Sequence, residues 1–239
     1  MKRDGNFGDL LTPLVLRHLG YTASYVPWKT PGKLMAGGTL LPLLQPGDVV
    51  WGTGGYLRPG VRCIHQPGVT YLAVRGPLTR SIIDGDVPEI YGDPGLWLPQ
   101  FIPPASEKKY DVGVIPHMVE KKDVSPINDP AVLWIDIQSG VRRVVEQITQ
   151  CRTIIASCLH GIVAAEAYGI PAAWVRMSDR IRAGSFKYND YYLSTGRDTR
   201  EPVIWNGRPG PALKAVAPPI EFNPLPLIRA LQGWAGNPQ

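Results

Sequence analysis

Short apolar runs alternate with helix-length segments twice along this chain, and that alternation constrains the fold more than any other feature. In the first half Asp48-Val-Val-Trp51 and Tyr71-Leu-Ala-Val74 read as strands, with Glu89–Tyr91 as a third. In the second half Tyr110–Ile115, Ala131–Ile135, Thr153–Ala156 and Ala172–Val175 read as strands. Val141, Val144, Val145 and Ile148 fall on one face of a helix over Val141–Thr149. Pro77 sits at the first position of a helix over Leu78–Asp84, and Gly169 stops a helix over Ile162–Tyr168 before Pro171. Near the N-terminus Leu11, Leu14, Val15 and Leu19 form the apolar face of a helix ended by Gly20. Strands and helices in this order build parallel sheets with helices packed on their faces. The stretch 99–109 carries Pro99, Pro103, Pro104 and a charge cluster, and reads as a linker. The expected architecture is therefore α/β, with two lobes, residues 1–104 and 105–239, and a cleft between them. The second lobe ends in a Pro-rich tail from about 201, closed by a short helix over Pro224–Trp234.

Composition removes several classes. The 26 glycines and 25 prolines are scattered between apolar runs without a period, which excludes a collagen-like or low-complexity chain. No apolar run reaches the roughly 18 residues that a membrane span needs. Leu10–Leu19 is interrupted by Pro13 and Arg17 and reads as an amphipathic helix, not a secretory leader. Cys63, Cys151 and Cys158 contain no C-x-x-C pair, so a reducing, cytoplasmic setting is expected. The net charge is +5, but the basic pairs Lys108-Lys109, Lys121-Lys122 and Arg142-Arg143 are isolated. That speaks against nucleic acid as a partner and leaves an anionic metabolite.

Ligands of parallel sheets sit at the carboxyl ends of strands. Gly52-Thr53-Gly54-Gly55 follows a strand but lacks the third glycine of a dinucleotide fingerprint, Leu57 standing in its place. It reads as a tight turn that opens space for some ligand. Asn6-Phe-Gly8-Asp9 begins a helix; Asp9 either caps it or shares an anion with the free amides. Ser157-Cys-Leu-His160-Gly161 lies at a strand-to-helix turn. His160 there is either an acid–base group beside amides that hold an anion, or a histidine satisfied by a carbonyl. Gly161 would permit close approach. His117, after Ile115-Pro116, carries the same two readings. Arg75 ends a strand and is either a fork for carboxylate or phosphate or one half of an ion pair. Cys63-x-His65 and Cys158-x-His160 are too closely spaced for a structural zinc site, so no metal is expected. Neither G-x-S-x-G nor H-E-x-x-H occurs.

Taken in order, Gly5–Asp9, Val50–Gly54, Val74–Arg80, Tyr91–Pro94, Gly113–His117, Ala156–Gly161 with Ala167–Pro171, and Phe186–Tyr191 resemble the polysaccharide pyruvyl transferase family, in particular its exopolysaccharide ketal-pyruvate branch. The resemblance covers roughly residues 5–196. It implies two Rossmann-like lobes of the glycosyltransferase-B type. It implies phosphoenolpyruvate as donor, a glycan or lipid-linked oligosaccharide as acceptor, a pyruvate ketal and phosphate as products, and no further cofactor. It makes His160 the expected acid–base catalyst, with His117 second. Arg75 and Lys187 are expected to clamp the donor's anionic groups. Asn6, Gly8, Asp9, Gly52, Thr53, Gly54 and Gly161 are expected to line the substrate site. A lipid-linked acceptor would be met at the inner face of the membrane, as a peripheral protein.

Two positions depart from the family pattern. The chain begins almost at the Asn-Phe-Gly-Asp motif, so the strand that usually precedes it is expected to be missing or very short. Position 158, often Arg or Ser in relatives, is Cys here, so one anion contact is expected either to be lost or to be supplied elsewhere, by Lys187 or Arg176. The rival readings are a nucleotide-sugar glycosyltransferase on the same fold, a catalytically inactive glycan-binding relative, and, third, a basic nucleic-acid binder.

Overall fold

A computed structural model describes residues 7–181 and 184–235. Asn6 lies outside the described residues. Among the described residues eight strands form two sheets, and every pairing in both is parallel. The smaller sheet has the order β1 (Leu34–Ala36), β2 (Val49–Thr53), β3 (Thr70–Val74). The larger has β5 (Val132–Trp134) at one edge, then β4 (Tyr110–Ile115), β6 (Cys151–Ala156), β7 (Ala172–Arg176) and β8 (Val203–Ile204). The α/β class with parallel sheets is as expected from the alternation of elements.

Seven α-helices accompany the strands among the described residues: α1 (Phe7–His18), α2 (Pro77–Ser81), α3 (Val141–Thr149), α4 (Leu159–Ala167), α5 (Phe186–Ser194), α6 (Pro209–Leu213) and α7 (Leu225–Ala235). The 3.6-residue period of α3 is realised: Val141, Val144, Val145 and Ile148 are all buried. Helix α4 differs in kind. Its residues from Leu159 to Glu166 are all buried, as in a helix surrounded by protein. In α1, Leu11 and Val15 are buried as expected, joined by Phe7 and Leu16, while Leu14 and Leu19 are only partly covered.

Two compact units emerge. One holds the five-stranded sheet and comprises Met1–Leu11, Gly95–Arg182 and Arg200–Ile220. The other holds the three-stranded sheet and comprises Thr12–Pro94, Ala183–Thr199 and Glu221–Gln239. Each is thus assembled from three stretches of chain, in place of a single division at 104/105. The reason lies in side chains from distant segments. In the three-stranded unit the indole N–H of buried Trp51 donates to the Leu227 carbonyl at 2.7 Å, anchoring α7. In the five-stranded unit the stretch read as a linker is packed down instead. Ile102 is buried, its carbonyl accepts the Tyr168 hydroxyl at 2.8 Å, and the Ala105 amide donates to Thr149 Oγ1 at 2.9 Å.

Two expectations change in detail, and a stretch for which no element was expected supplies a strand. The strand over Glu89–Tyr91 reduces to one bridge, Tyr91 beside Val74. The helix after Arg75 runs only Pro77–Ser81, with Pro77 in its first turn as expected. The Gly/Pro-rich stretch 21–46 contains β1, held beside β2 by a buried ion pair: Lys33 Nζ lies 2.6 Å from Asp48 Oδ2. The same carboxylate accepts the Lys33 and Gln45 amides at 3.1 and 2.8 Å, so Asp48 is an organiser of the turn before β2.

Candidate functional site

The candidate residues fall into two sets, one in each unit. In the five-stranded unit, β6 delivers the chain into α4 through Ser157 and Cys158, so that His160 occupies the first turn of that helix. The imidazole is only 7% exposed. It packs against Gly8 in the first turn of α1, where a β-carbon would lie 2.1 Å from its Cε1, far inside contact distance. Glycine is therefore required at position 8 for a neighbour found 152 residues away.

Asp9 follows on the same turn of α1, inside the helix and not at its cap. Burial holds the Asp9 carboxyl above its ordinary range, and the charge of His160 pulls it part of the way back. The structure thus brings together Gly8, Asp9 and His160 at two helix N-termini, where backbone amides point outward and carry partial positive charge. Gly161 serves packing: a β-carbon there would lie 3.1 Å from Ile115 Cδ1, so its absence lets α4 settle on β4.

The Asp9 geometry has a testable consequence. The folded protein binds the Asp9 proton more tightly than the unfolded chain, so this group adds stability at low pH and the contribution is lost as pH rises through its raised value. Asp9→Asn should therefore melt higher than the parent near neutral pH. The gap should close as pH falls toward about 4, the ordinary aspartate range. Melting curves across that pH series check this, and a gap that widens on acidification would reverse the sign of the argument.

His117 follows β4. Its backbone amide donates to Ser157 Oγ at 2.9 Å, and its Nδ1 accepts the Val119 amide at 3.3 Å. Ser157 Oγ donates in turn to Glu120, a fully buried carboxylate that sequence reading passed over.

In the three-stranded unit, β2 ends in Gly52, Thr53 and Gly54. Gly52 has φ +74°, and a β-carbon there would meet the Gly92 carbonyl and Pro94 at 2.8 Å. Thr53 Oγ1 donates to the Gly37 carbonyl. Gly54 leaves room for Arg75, whose guanidinium occupies the place of a β-carbon. Gly54→Ala should consequently cost about 1–3 kcal/mol, the range for forcing atoms into a filled core, measurable by denaturant titration.

Arg75 is fully buried and engaged. Nε donates to Asp190 Oδ2 at 3.0 Å, and Nη1 donates to the Gly38 carbonyl at 3.2 Å and to Thr39 Oγ1 at 3.0 Å. Nη2 is buried without a hydrogen-bond partner. Of the two readings open for this arginine, the structure shows an ion pair, inside the protein and not on its surface. Asp190 also accepts the Thr79 amide at 2.8 Å and the Thr79 hydroxyl at 2.5 Å. Gly76 is needed because a β-carbon would strike the Asp190 backbone carbonyl. Lys187, on the same helix α5 as Asp190, is 8% exposed, with its ammonium 5.0 Å from the centre of the Tyr188 ring.

These two strand-end sets can be compared with known proteins. A profile of the family described as polysaccharide pyruvyl transferase matches residues 47–179, more than half of the chain. The chain belongs to that family.

The matched region contains Gly52, Thr53, Gly54, Arg75, His117, Ser157, His160 and Gly161; Gly8, Asp9, Lys187 and Asp190 lie outside it. Two relatives are similar over shorter stretches. The succinoglycan biosynthesis protein ExoV of Rhizobium meliloti (strain 1021) is 32% identical over 141 residues, 55% of this chain and 43% of that protein. The uncharacterized protein L143 of Acanthamoeba polyphaga mimivirus is 36% identical over 108 residues, 42% of this chain and 38% of that protein. The chain thus spans about two fifths of the length of these curated relatives.

Asp190 and Thr79 in the three-stranded unit, and Glu120 in the five-stranded unit, are residues beside the two sets that sequence reading missed. Thr79 and Asp190 stood inside the quoted segments Val74–Arg80 and Phe186–Tyr191, without a role. Glu120 carried no signal, because its partners come from two other strands.

Proposed function

We propose that this member of the pyruvyl transferase family moves a pyruvyl group from phosphoenolpyruvate to a sugar of an exopolysaccharide or other glycan, forming a ketal and releasing phosphate. The observation that carries the reading is His160, set against Gly8 in the first turn of α4 with the Asp9 carboxyl electrostatically linked to it, in a chain of that family. The name of ExoV, a succinoglycan biosynthesis protein, supports an exopolysaccharide as acceptor. The two all-parallel sheets support the glycosyltransferase-B class as part of the same reading.

In this scheme a proton from His160 adds to C3 of the enol, and C2 becomes electrophilic. A sugar hydroxyl attacks C2 and returns a proton to the His160 imidazole, the C2–O bond to phosphate breaks, and a second hydroxyl attacks C2 to close the ketal, its proton leaving with the phosphate. Asp9 stabilises the imidazolium and fixes the ring's orientation. The amides at the N-termini of α1 and α4 are suited to an anionic donor. Arg75 contributes by shaping the end of β3, since its Nε and Nη1 are already committed to protein partners. No cofactor beyond the donor belongs to the proposal. A lipid-linked acceptor would bring the protein to a membrane surface; among the described residues no helix is long and apolar enough to cross one.

The test is phosphate release from phosphoenolpyruvate with a panel of soluble and lipid-linked oligosaccharides, with labelled donor to follow the pyruvyl carbon into the glycan. Release of a nucleotide from an activated sugar would replace this reading with glycosyl transfer. Acceptor binding without turnover of any donor would replace it with a glycan-binding role.

A further inference from the structure

We propose that Glu120 is a positioning residue, whose buried carboxylate sets the geometry of the β4, β6 and β7 strand ends from which His117 and the His160 turn depart. The inference rests on the pyruvyl transfer reading for its kinetic consequence.

Glu120 is fully buried, with its two oxygens shared between two serines. Oε2 accepts the Ser157 hydroxyl and Oε1 accepts the Ser178 hydroxyl at 2.7 Å. Ser157 directly follows β6, and Ser178 lies two residues beyond β7. The direction of these bonds is constrained. Ser157 Oγ already accepts the His117 amide at 2.9 Å, and Ser178 Oγ accepts the Arg180 amide at 3.2 Å. Each hydroxyl hydrogen is thereby turned toward the carboxylate, which acts as acceptor on both sides. Glu120 is tied to its own strand end as well, its amide donating to the His117 carbonyl at 2.8 Å. One carboxylate therefore locks three adjacent strand ends in register with one another, and Ser157 stands immediately before the N-cap of α4.

Among the described residues no Lys, Arg or His side chain pairs with this carboxylate. Among the described residues two hydroxyls are its side-chain partners. An amide isostere would break the lock. An amide presents a donor where one serine needs an acceptor, so one of the two serines must rotate. Where Ser157 faces the amide, its Oγ must accept from that amide as well as from the His117 N–H, which loosens the bond to His117 and shifts the approach to α4. A buried carboxylate that ties three strand ends together beside the proposed acid fits a role in placing catalytic groups.

The experiment compares Glu120→Gln, Ser157→Ala, Ser157→Thr and Ser178→Ala, with Arg180→Ala as control for the exposed Asp123–Arg180 ion pair on the same loop. For Glu120→Gln and Ser157→Ala, kcat for phosphate release per folded molecule should fall up to about 100-fold, the scale of a misplacement near 1 Å. KM for phosphoenolpyruvate should stay near the parent value. Ser157→Thr, which keeps the hydroxyl, should restore most of the rate, and Ser178→Ala should fall between. Arg180→Ala should match the parent. Loss of melting temperature with kcat unchanged per folded molecule would make Glu120 merely structural and overturn the proposal.

A second readout does not depend on the reaction. In protein carrying ¹⁵N-histidine, the His117 amide and His160 imidazole signals should move in Glu120→Gln and Ser157→Ala, while those of His18 and His65 stay. If the parent protein releases no phosphate from phosphoenolpyruvate, the function reading falls and these signals alone decide. Movement confined to His117 and His160 supports the positioning role, and unmoved signals overturn it.

Discussion

Alanine at His160 is expected to slow pyruvyl transfer about 10²–10⁴-fold, the scale of a lost general acid. Reasoning from a strand end opening on a cleft suggests that this side chain supports little core. The structure corrects that part, since the ring is almost wholly buried and packs on Gly8. The variant should therefore also lose about 0.5–3 kcal/mol of stability, as single substitutions of buried groups commonly do. The two effects separate when turnover is normalised to folded protein by a melting curve. Glutamine should recover part of the stability, because it fills space and hydrogen-bonds, but not the turnover, because it carries no transferable proton. Near-parental turnover in a properly folded His160→Ala would remove the catalytic role and bring His117 forward.

Removing Arg75 should act on the fold before it acts on the donor. Arg75→Ala leaves Asp190 buried beside Thr79 with its cation gone, and breaking a buried pair in this way costs about 3–5 kcal/mol. Asp190→Ala should cost a similar amount for the reciprocal reason. Urea titrations of both single variants and of the pair Arg75→Met with Asp190→Leu provide the check. The double variant should be less destabilised than the sum of the singles, because neither charge remains unpaired. Strict additivity would show that the two side chains do not depend on each other. Arg75→Lys should fare poorly as well. A lysine keeps the charge but cannot reach Asp190, the Gly38 carbonyl and Thr39 at once with a planar fork.

Much of this architecture was legible in the sequence where periodicity and burial agree. Strands β2, β3, β4, β6 and β7 are apolar runs because helices or loops cover both of their faces, as parallel sheets require. Helix α3 separates its apolar and polar faces cleanly. Elements that escaped lack such a signal. Strand β8 has two residues, β1 has three within a Gly/Pro-rich stretch, and α6 is the segment Pro-Gly-Pro-Ala-Leu. Helix α5 was hidden for a chemical reason. It buries Lys187 and Asp190 along with its tyrosines, so its inward face is polar and no hydrophobic stripe marks it.

The site divides in the same way. His160 and Arg75 stood out because they follow strands, a position that local sequence reveals. What each does depends on a partner that local sequence does not reveal. His160 needs a glycine from the far end of the chain, Arg75 needs Asp190 from 115 positions on, and Glu120 needs serines from two neighbouring strands. Long-range partners of this kind are fixed by topology, and a strand order cannot be read from the period of its residues.

The threading of each unit through three stretches of chain bears on how the protein is born. Growing from its N-terminus on a ribosome, the chain completes β1, β2 and β3 early, but Asp190 reaches Arg75 only after more than a hundred further residues have been made, and Leu227 reaches Trp51 later still. Until then a buried-to-be arginine and tryptophan wait in an unfinished sheet, exposed to other nascent chains and to chaperones. A ribosome stalled near residue 180 should accordingly carry β1, β2 and β3 without Asp190 or Leu227, in a three-stranded sheet still open to proteases.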